Sequence, residues 1–125
     1  LETDGVNWTA SGTGVLGFAG SFGSSLAASG YQKLPSGFII QWGSISSAAI
    51  ATTTASFPIT FPGGAPFQVL ASGYNISGGA QAYVTVNDAT ASGCAFNAFY
   101  ANTGGVAPSL SGAGQVLIKY IAIGK

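Results

Sequence analysis

The chain has 125 residues, of which 47% are hydrophobic and only 5% are charged. Three lysines balance three acidic residues, so the net charge is zero, and neither arginine nor histidine is present. This length supports one domain with a modest core, and the apolar content excludes intrinsic disorder. Three lysines cannot neutralise a phosphate backbone, which excludes a nucleic-acid partner. Ordinary soluble domains have about 25% charged residues. This surface must therefore be covered by neutral polar side chains or by other copies of the chain.

Residues 1–29 are rich in glycine, serine, threonine and alanine, with aromatic and aliphatic residues spaced among them. Each glycine in a helix interior costs about 1 kcal/mol relative to alanine, so we expect no helix here. Short strands or an extended strip packed against neighbouring chains would fit better. The chain begins with Leu1 instead of a methionine, which predicts that it is a piece of a longer protein.

From Tyr31 onward, short apolar runs alternate with turn signals, which predicts an antiparallel β-sandwich or barrel. Phe57, Ile59 and Phe61 alternate as in a strand with one buried face. Residues 45–54 form either a strand or a loop rich in serine, threonine and alanine. The predicted strands cover residues 38–43, 55–61, 66–72, 81–86, 93–100 and 115–123, and the predicted breaks are Gly63-Gly64, Gly73, Gly78-Gly79, Asn87-Asp88 and Gly104-Gly105.

The predicted strand at residues 81–86 shows a second alternation. Gln81, Tyr83 and Thr85 share one face of this strand. Small or β-branched apolar residues occupy the positions between them and point the other way.

Cys94 is the only cysteine of the chain, which excludes an intrachain disulfide bond. Its small or apolar neighbours, Gly93, Ala95 and Phe96, favour a buried, unreactive thiol. Without histidine or a cluster of carboxylates, no metal site is expected. The paired glycines lack the flanking strand, lysine and helix of a phosphate-binding loop, and no cofactor is expected.

Catalysis is not expected, because acid–base chemistry needs titratable groups held near one another. Two of the three carboxylates, Glu2 and Asp4, lie in the leading segment, so only Asp88 remains in the predicted sandwich. A glycosidase needs a pair of carboxylates around the scissile bond, and one chain cannot assemble that pair. We therefore expect a binding protein and not an enzyme.

Loops rich in asparagine, serine, threonine, glycine and tyrosine suit neutral polar ligands, above all sugars. Aromatic faces stack on pyranose rings, and amides and hydroxyls exchange hydrogen bonds with sugar hydroxyls. In the structural alternative, Tyr74 covers the edge of the core and its neighbours form a solvated turn, and residues 100–104 allow the same alternative. An Asn-Asp pair is also more often a turn than a ligand pair. The candidate ligand-binding residues are Tyr74, Asn75, Ser77, Asn87, Asp88, Tyr100 and Asn102.

Three segments have distinctive sequences. Residues 30–43 read GYQKLPSGFIIQWG, residues 57–62 read FPITFP, and residues 120–124 read YIAIG. In the first, Leu34-Pro35-Ser36-Gly37 predicts a turn that leads into an apolar strand. These segments resemble the C-terminal domain of bacteriophage and prophage tail fibre proteins. Members of that family often end in an aromatic residue after the last glycine, whereas this chain ends at Lys125.

The resemblance implies an all-β fold: an antiparallel β-sandwich tip domain, preceded by an extended shaft-like segment and assembled as a homotrimer. Residues 1–29 would form the shaft or neck, and residues 30–125 the C-terminal tip domain. The implied location is the virion, at the distal end of a tail fibre of a Mu-like or related contractile-tailed phage or of a phage-tail-like bacteriocin. The tip would bind the host surface, commonly a saccharide of lipopolysaccharide, and mediate adsorption. Some such fibres also need an assembly chaperone that engages the C-terminal region.

Two other functions remain open from the residues alone. The domain could be a structural trimerisation or capping domain, with recognition located elsewhere in the fibre. It could also be a secreted lectin-like sandwich unrelated to phages, which a monomeric state would favour. Trimerisation would bury neutral apolar surface against two partners, and three weak sugar sites on one tip would act together. Because so few charges are present, we expect binding to depend little on salt.

Overall fold

The computed structural model describes residues 2–3, 8–9, 23–49, 51–76, 81–101 and 109–125. Within these ranges every regular element is a β-strand, and none of the described residues forms a helix of the length and apolarity needed to cross a membrane. The predicted all-β class is therefore confirmed. The strands are β1 (Glu2–Thr3), β2 (Trp8–Thr9), β3 (Ser24–Ser25), β4 (Gly30–Lys33), β5 (Ile39–Ser46), β6 (Thr53–Ser56), β7 (Gln68–Asn75), β8 (Gln81–Ala89), β9 (Gly93–Ala101), β10 (Ser109–Leu110) and β11 (Val116–Gly124).

The strands form two main sheets in which all pairings are antiparallel. The first sheet has five strands in the order β3-β4-β5-β11-β7. The second sheet is built on β9, with β8 along one side and β6 and β10 along the other, at opposite ends of β9. Strands β1 and β2 form a separate pair.

The core lies between the inner faces of the two sheets. Along β11, residues alternate strictly: Ile118 and Tyr120 are buried, whereas Lys119 and Ile121 are exposed on the opposite face. From the second sheet, Phe96 on β9 is fully buried, and its ring centroid lies 5.6 Å from that of Tyr120. This contact joins the two layers. Alternating side chains on each sheet thus fill one shared core, as the predicted sandwich requires.

Five predicted strands are confirmed with shifted ends. All five observed strands end one to three residues later than predicted, because hydrogen-bonded pairing continues past the predicted ends. Residues 45–54 are divided between the end of β5, a connecting segment and the start of β6. The confirmed predictions are those for residues 38–43, 66–72, 81–86, 93–100 and 115–123, which correspond to β5, β7, β8, β9 and β11.

The predicted strand over residues 55–61 is wrong beyond Ser56, where β6 ends. The alternation of Phe57 and Phe61 does report burial, since both rings belong to the core. Their backbone N–H groups, however, donate to the carbonyl oxygens of Ser92 and Ala91, at 2.8 and 2.9 Å, instead of to a neighbouring strand. The prolines that follow each phenylalanine have no N–H to contribute to a ladder.

Two predicted breaks are also wrong. Gly73 lies inside β7, where a Cβ atom would come within 2.8 Å of Val84 Cγ2. The glycine is therefore needed for close packing and not for a turn. Asn87-Asp88 lies inside β8, at a bulge between Val86 and Asp88 that interrupts the register with β9. Gly78-Gly79 and Gly104-Gly105 lie outside the described residues.

Candidate functional site

The first two distinctive segments are joined in the core by the side chain of Gln41. This residue lies on the inner face of β5 and is fully buried. Its Nε2 donates to the carbonyl oxygen of Ile59 at 2.8 Å, and the Ile59 N–H donates to its Oε1 at 2.9 Å. A side-chain amide thus takes the place of a neighbouring strand and satisfies both backbone groups of Ile59.

The third segment completes the same core through Tyr120. Its ring centroid lies 6.0 Å from that of Phe57, and its hydroxyl donates to the carbonyl oxygen of Ser56 at 3.4 Å. Burial raises the pKa of this hydroxyl, and the neighbouring Cys94 adds to the shift, so that the group remains a donor. Gly43 leaves space for the hydroxyl, since a Cβ atom there would lie 2.6 Å from it. The inward-facing residues of the distinctive segments therefore build the core.

The turn predicted at Leu34-Pro35-Ser36-Gly37 is confirmed. The Gly37 N–H donates to the carbonyl oxygen of Leu34 at 3.0 Å, and Gly37 has a φ of 83°. Residues other than glycine rarely adopt this backbone conformation. The turn feeds directly into β5, which presents Gln41 to the core.

The outer face of the five-stranded sheet has an apolar row across its centre, and we call it the aliphatic face. Its central row runs across Trp42, Ile121 and Leu70, which are opposite one another in the register. Leu70 is 59% exposed and Ile121 is 46% exposed. An open groove of about 560 Å³ follows this row. Along β5, β7 and β11 its members are Ile40, Trp42, Ser44, Ser46, Gln68, Leu70, Ser72, Tyr74, Leu117, Lys119, Ile121 and Ile123.

Two side chains of the aliphatic face are held by local contacts. The Lys119 ammonium lies 4.9 Å from the ring centroid of Tyr74, a cation–π arrangement. The indole N–H of Trp42 donates to the carbonyl oxygen of Ala27 at 3.1 Å. Tyr74 was the leading candidate for stacking on a sugar, but a lysine of its own chain lies over its ring.

The outer face of the second sheet differs in chemistry, and we call it the polar face: Gln81, Tyr83, Thr85, Asn97 and Phe99. In the register, Tyr83 is opposite Phe99 and Thr85 is opposite Asn97. Tyr83 is 46% exposed, and its hydroxyl donates to Gln81 Oε1 at 2.7 Å. This face therefore combines aromatic rings with neutral amides and a hydroxyl.

Asp88 lies beside a small cleft near one end of the polar face. The cleft has a volume of about 260 Å³, and the hydroxyl residues Thr54, Thr90 and Ser92 line it together with Asp88. The Asp88 carboxylate accepts a hydrogen bond from the Ala89 N–H at 2.8 Å. Cys94 also borders the cleft, but burial raises the pKa of its thiol to about 11. The cleft thus offers hydroxyls and one carboxylate, without a reactive thiol.

The candidate ligand-binding residues fall into two separate groups. Tyr74 and Asn75 end β7, and Tyr100 lies near the end of β9, where Ala101 pairs with the first residue of β8. Asn87 and Asp88 lie near the other end of β8, about 20 Å away at about 3.3 Å per residue. Ser77 and Asn102 lie outside the described residues. One compact site cannot contain both groups.

The polar face was not among the candidate sites predicted from the sequence, although the alternation along one of its strands was recognised. The alternation of Gln81, Tyr83 and Thr85 correctly gave one half of it. Asn97 and Phe99 belong to it only through the register between β8 and β9. That register depends on the bulge between Val86 and Asp88, which the sequence does not predict.

Comparison with solved structures finds a similar fold in pyocin tail fibres. An N-truncated R1-type pyocin tail fibre matches with a TM-score of 0.62 and 22% identity, over 94% of this chain and 98% of that chain. A C-terminal part of the R2 pyocin fibre of P. aeruginosa matches with a TM-score of 0.58 and 24% identity, over 82% of this chain. The present chain spans only 25% of that second structure. At these identities the likeness defines the fold.

The family is given by the sequence itself. A family model described as "Putative tail fiber protein gp53-like, C-terminal" matches residues 33–125, and the chain belongs to this family. The resemblance predicted from the three segments is confirmed. No curated protein sequence matches the chain.

Proposed function

We propose that this domain is the distal tip of a tail fibre and attaches a phage or phage-tail-like particle to a saccharide of the host's lipopolysaccharide. The observation that carries this proposal is the polar face, where exposed Tyr83 lies among neutral amides and hydroxyls. Such groups stack on sugar rings and exchange hydrogen bonds with sugar hydroxyls. Membership in a tail fibre family supplies the biological setting.

We propose binding without catalysis. The chain has no histidine and only three acidic residues. Among the described residues, no group of three histidine, cysteine or acidic side chains could hold a metal ion. Asp88 has no second carboxylate of the same chain within the described part of the sandwich, and hydrolysis of a glycosidic bond needs two. The chemistry available is recognition.

We propose a homotrimer in which the aliphatic face of each copy is buried against the other two. Leu70 and Ile121 are about half exposed in the single chain, next to Trp42. Burying an aliphatic side chain stabilises by about 1.5–3 kcal/mol, so three copies of this row favour association. The cation–π contact of Lys119 with the Tyr74 ring offsets part of the cost of burying its ammonium.

In this trimer, residues 1–29 would form the shaft or neck and residues 30–125 the tip. Strand β3, at residues 24–25, already pairs with β4 and would lead the chain into the tip. An assembly chaperone that covers the apolar surface before trimerisation is a further proposed partner. Such a partner suits a chain with 47% hydrophobic and 5% charged residues.

A purely structural capping function is the second candidate, and one observation favours it. The inward-facing residues of the segments that carry the family resemblance build the core, through Gln41 and Tyr120, and the outward-facing Trp42 and Ile121 lie in the proposed interface. A capping domain needs only that core and an interface. It would not bind cells when isolated from the rest of the fibre.

The oligomeric state is tested by light scattering after size-exclusion chromatography. We expect a mass near three times 12.3 kDa. Ile121→Asp places a carboxylate in the apolar row and should give monomers, whereas Thr85→Asp, on the polar face, should leave the trimer intact. A trimer that survives Ile121→Asp would contradict the proposed interface, and a monomeric wild type would contradict a trimer formed by this chain alone.

Attachment is tested by incubating the labelled wild-type domain with a panel of intact bacteria. A tip domain should bind a subset of strains, and lipopolysaccharide purified from a bound strain should compete. If the folded trimer binds none of the strains, the capping function is favoured. Binding that the purified lipopolysaccharide does not reduce would point to a different receptor.

A further inference from the structure

The polar face extends along β8 and β9 between the two groups of candidate residues. We propose that it is an extended platform for a neutral oligosaccharide, with Tyr83 as the residue that stacks on a sugar ring. This inference rests on the proposed attachment function and names its site and ligand class. It relies on the placement, burial and hydrogen bonds of the side chains on this face.

Tyr83 is presented in a fixed position. Tyr83 is 46% exposed, whereas the neighbouring Val84 packs against the core and holds the strand in place. Its hydroxyl donates to Gln81 Oε1 at 2.7 Å. Phe99 lies directly opposite on β9, at a spacing of about 5 Å between Cβ atoms. The hydrogen bond to Gln81 restricts the Tyr83 ring, which lowers the side-chain entropy lost when a sugar stacks on it.

Amide and hydroxyl groups lie next to this ring. Thr85 is opposite Asn97, two residues along β8 from Tyr83. The Thr52 hydroxyl donates to Asn97 Oδ1 at 3.0 Å, so the donors that Asn97 can offer a ligand are its amide hydrogens. The amide of Gln81 is placed likewise, because its oxygen accepts from Tyr83. The hydroxyls of a neutral sugar would find donors and acceptors on both sides of the ring.

The length of the face fits more than one sugar unit. Along β8, Asp88 lies about 16 Å from Tyr83 at about 3.3 Å per residue. There the cleft of about 260 Å³ adds the hydroxyls of Thr54, Thr90 and Ser92. Asp88 is the charged residue at this end, and its carboxylate would repel an anionic sugar. The ligand class is therefore a neutral oligosaccharide.

The aliphatic face does not offer the same chemistry. Its exposed aromatic residue, Tyr74, has the Lys119 ammonium over its ring. Its central row, including Ile121 and Leu70, supplies no hydrogen-bonding side chain beyond the Trp42 indole, which donates to Ala27. Apolar rows suit association between copies, whereas the polar face suits a hydroxyl-rich ligand.

The test uses the wild-type domain and an oligosaccharide released from the lipopolysaccharide of a strain that the domain binds. In NMR titrations of ¹⁵N-labelled protein, the largest shifts should fall on β8 and β9. Tyr83→Ala should weaken both this binding and cell adsorption about tenfold, since a lost aromatic contact is worth up to about 1.4 kcal/mol. Tyr83→Phe keeps the ring and should retain most of the affinity.

Phe67→Ala is the control, because it removes an exposed aromatic ring that belongs to neither the polar face nor the aliphatic face. It should leave the affinity unchanged, and circular dichroism should show that both alanine variants are folded. Full cell binding by folded Tyr83→Ala, or shifts that map away from β8 and β9, would overturn the platform and leave the attachment function standing. A wild-type domain that binds no strain would overturn the attachment function itself, and the platform with it.

Discussion

Replacing Gln41 tests whether the core depends on the amide that joins the first two distinctive segments. Gln41→Leu keeps the side chain's approximate volume but removes both hydrogen bonds to Ile59, of 2.8 and 2.9 Å. Each buried backbone group left without a partner costs about 1–3 kcal/mol. Some of this loss is offset because leucine is the more apolar side chain. We therefore expect the free energy of unfolding to fall by about 2–4 kcal/mol, a large share of the 5–15 kcal/mol that is typical of a domain.

Gln41→Glu should make the free energy of unfolding depend on pH. A protonated carboxyl group can donate to the Ile59 carbonyl and accept from its N–H, as the amide does. An ionised carboxylate can only accept, and complete burial raises its pKa above the unfolded value of about 4.3. Because the folded pKa is raised, the stability of this variant should be highest below about pH 4 and should fall as the pH rises through the folded pKa.

Urea unfolding at one fixed protein concentration, followed by tryptophan fluorescence between about pH 4 and 8, measures both effects. The wild type should vary little between about pH 5 and 8, because it has three carboxylates and no histidine. Gln81→Glu is the control, since Gln81 is exposed and its oxygen can still accept from Tyr83 as a carboxylate. Wild-type stability in Gln41→Leu, or an equal pH dependence of the two glutamate variants, would refute this role for Gln41.

Three further predictions concern the core and the surface. Gly43→Ala should lower the free energy of unfolding, measured in urea, by about 1–3 kcal/mol, because the new Cβ would lie 2.6 Å from the Tyr120 hydroxyl. Ser44→Ala, at an exposed position, is the control. Equal stabilities of the two variants would contradict this packing. The Cys94 thiol, with a pKa raised to about 11, should resist Ellman's reagent at pH 8 until the domain unfolds; immediate labelling of folded protein would contradict its burial. Cell binding should change less than about threefold between about 0.05 and 0.5 M salt, because few charges are available to be screened; a steep loss with salt would indicate an ionic receptor contact.

The sequence predicted the fold well where alternation and turns were both clear. Strand β11 was found because residues 115–123 form an apolar run that follows turn signals, and the structure shows that Ile118, Tyr120 and Ala122 alternate with outward residues along it. Alternation failed as a strand signal over residues 57–61, where burial alternates but the backbone N–H groups donate to a loop and to the Gln41 side chain. Periodicity reports which side chains are buried, and it does not report which groups satisfy the backbone.

The candidate site was harder to predict, because surface residues acquire meaning only from their neighbours. Tyr74 and Tyr83 have similar exposure, yet Tyr74 lies beneath a lysine, whereas Tyr83 lies beside Gln81 and the Thr85–Asn97 pair. Those surroundings follow from the register of β7 with β11 and of β8 with β9. The bulge before Asp88 sets the second of these registers, and nothing in the local sequence marks it.

The most direct test of the attachment function compares two isogenic strains, one with complete and one with truncated lipopolysaccharide, drawn from the species that the domain binds. The labelled wild-type trimer should bind the complete strain and lose that binding on the truncated strain. Binding should return when the missing saccharide is restored by complementation. Equal binding to both strains would contradict a saccharide receptor, and binding to neither, by a folded trimer, would contradict a function in attachment.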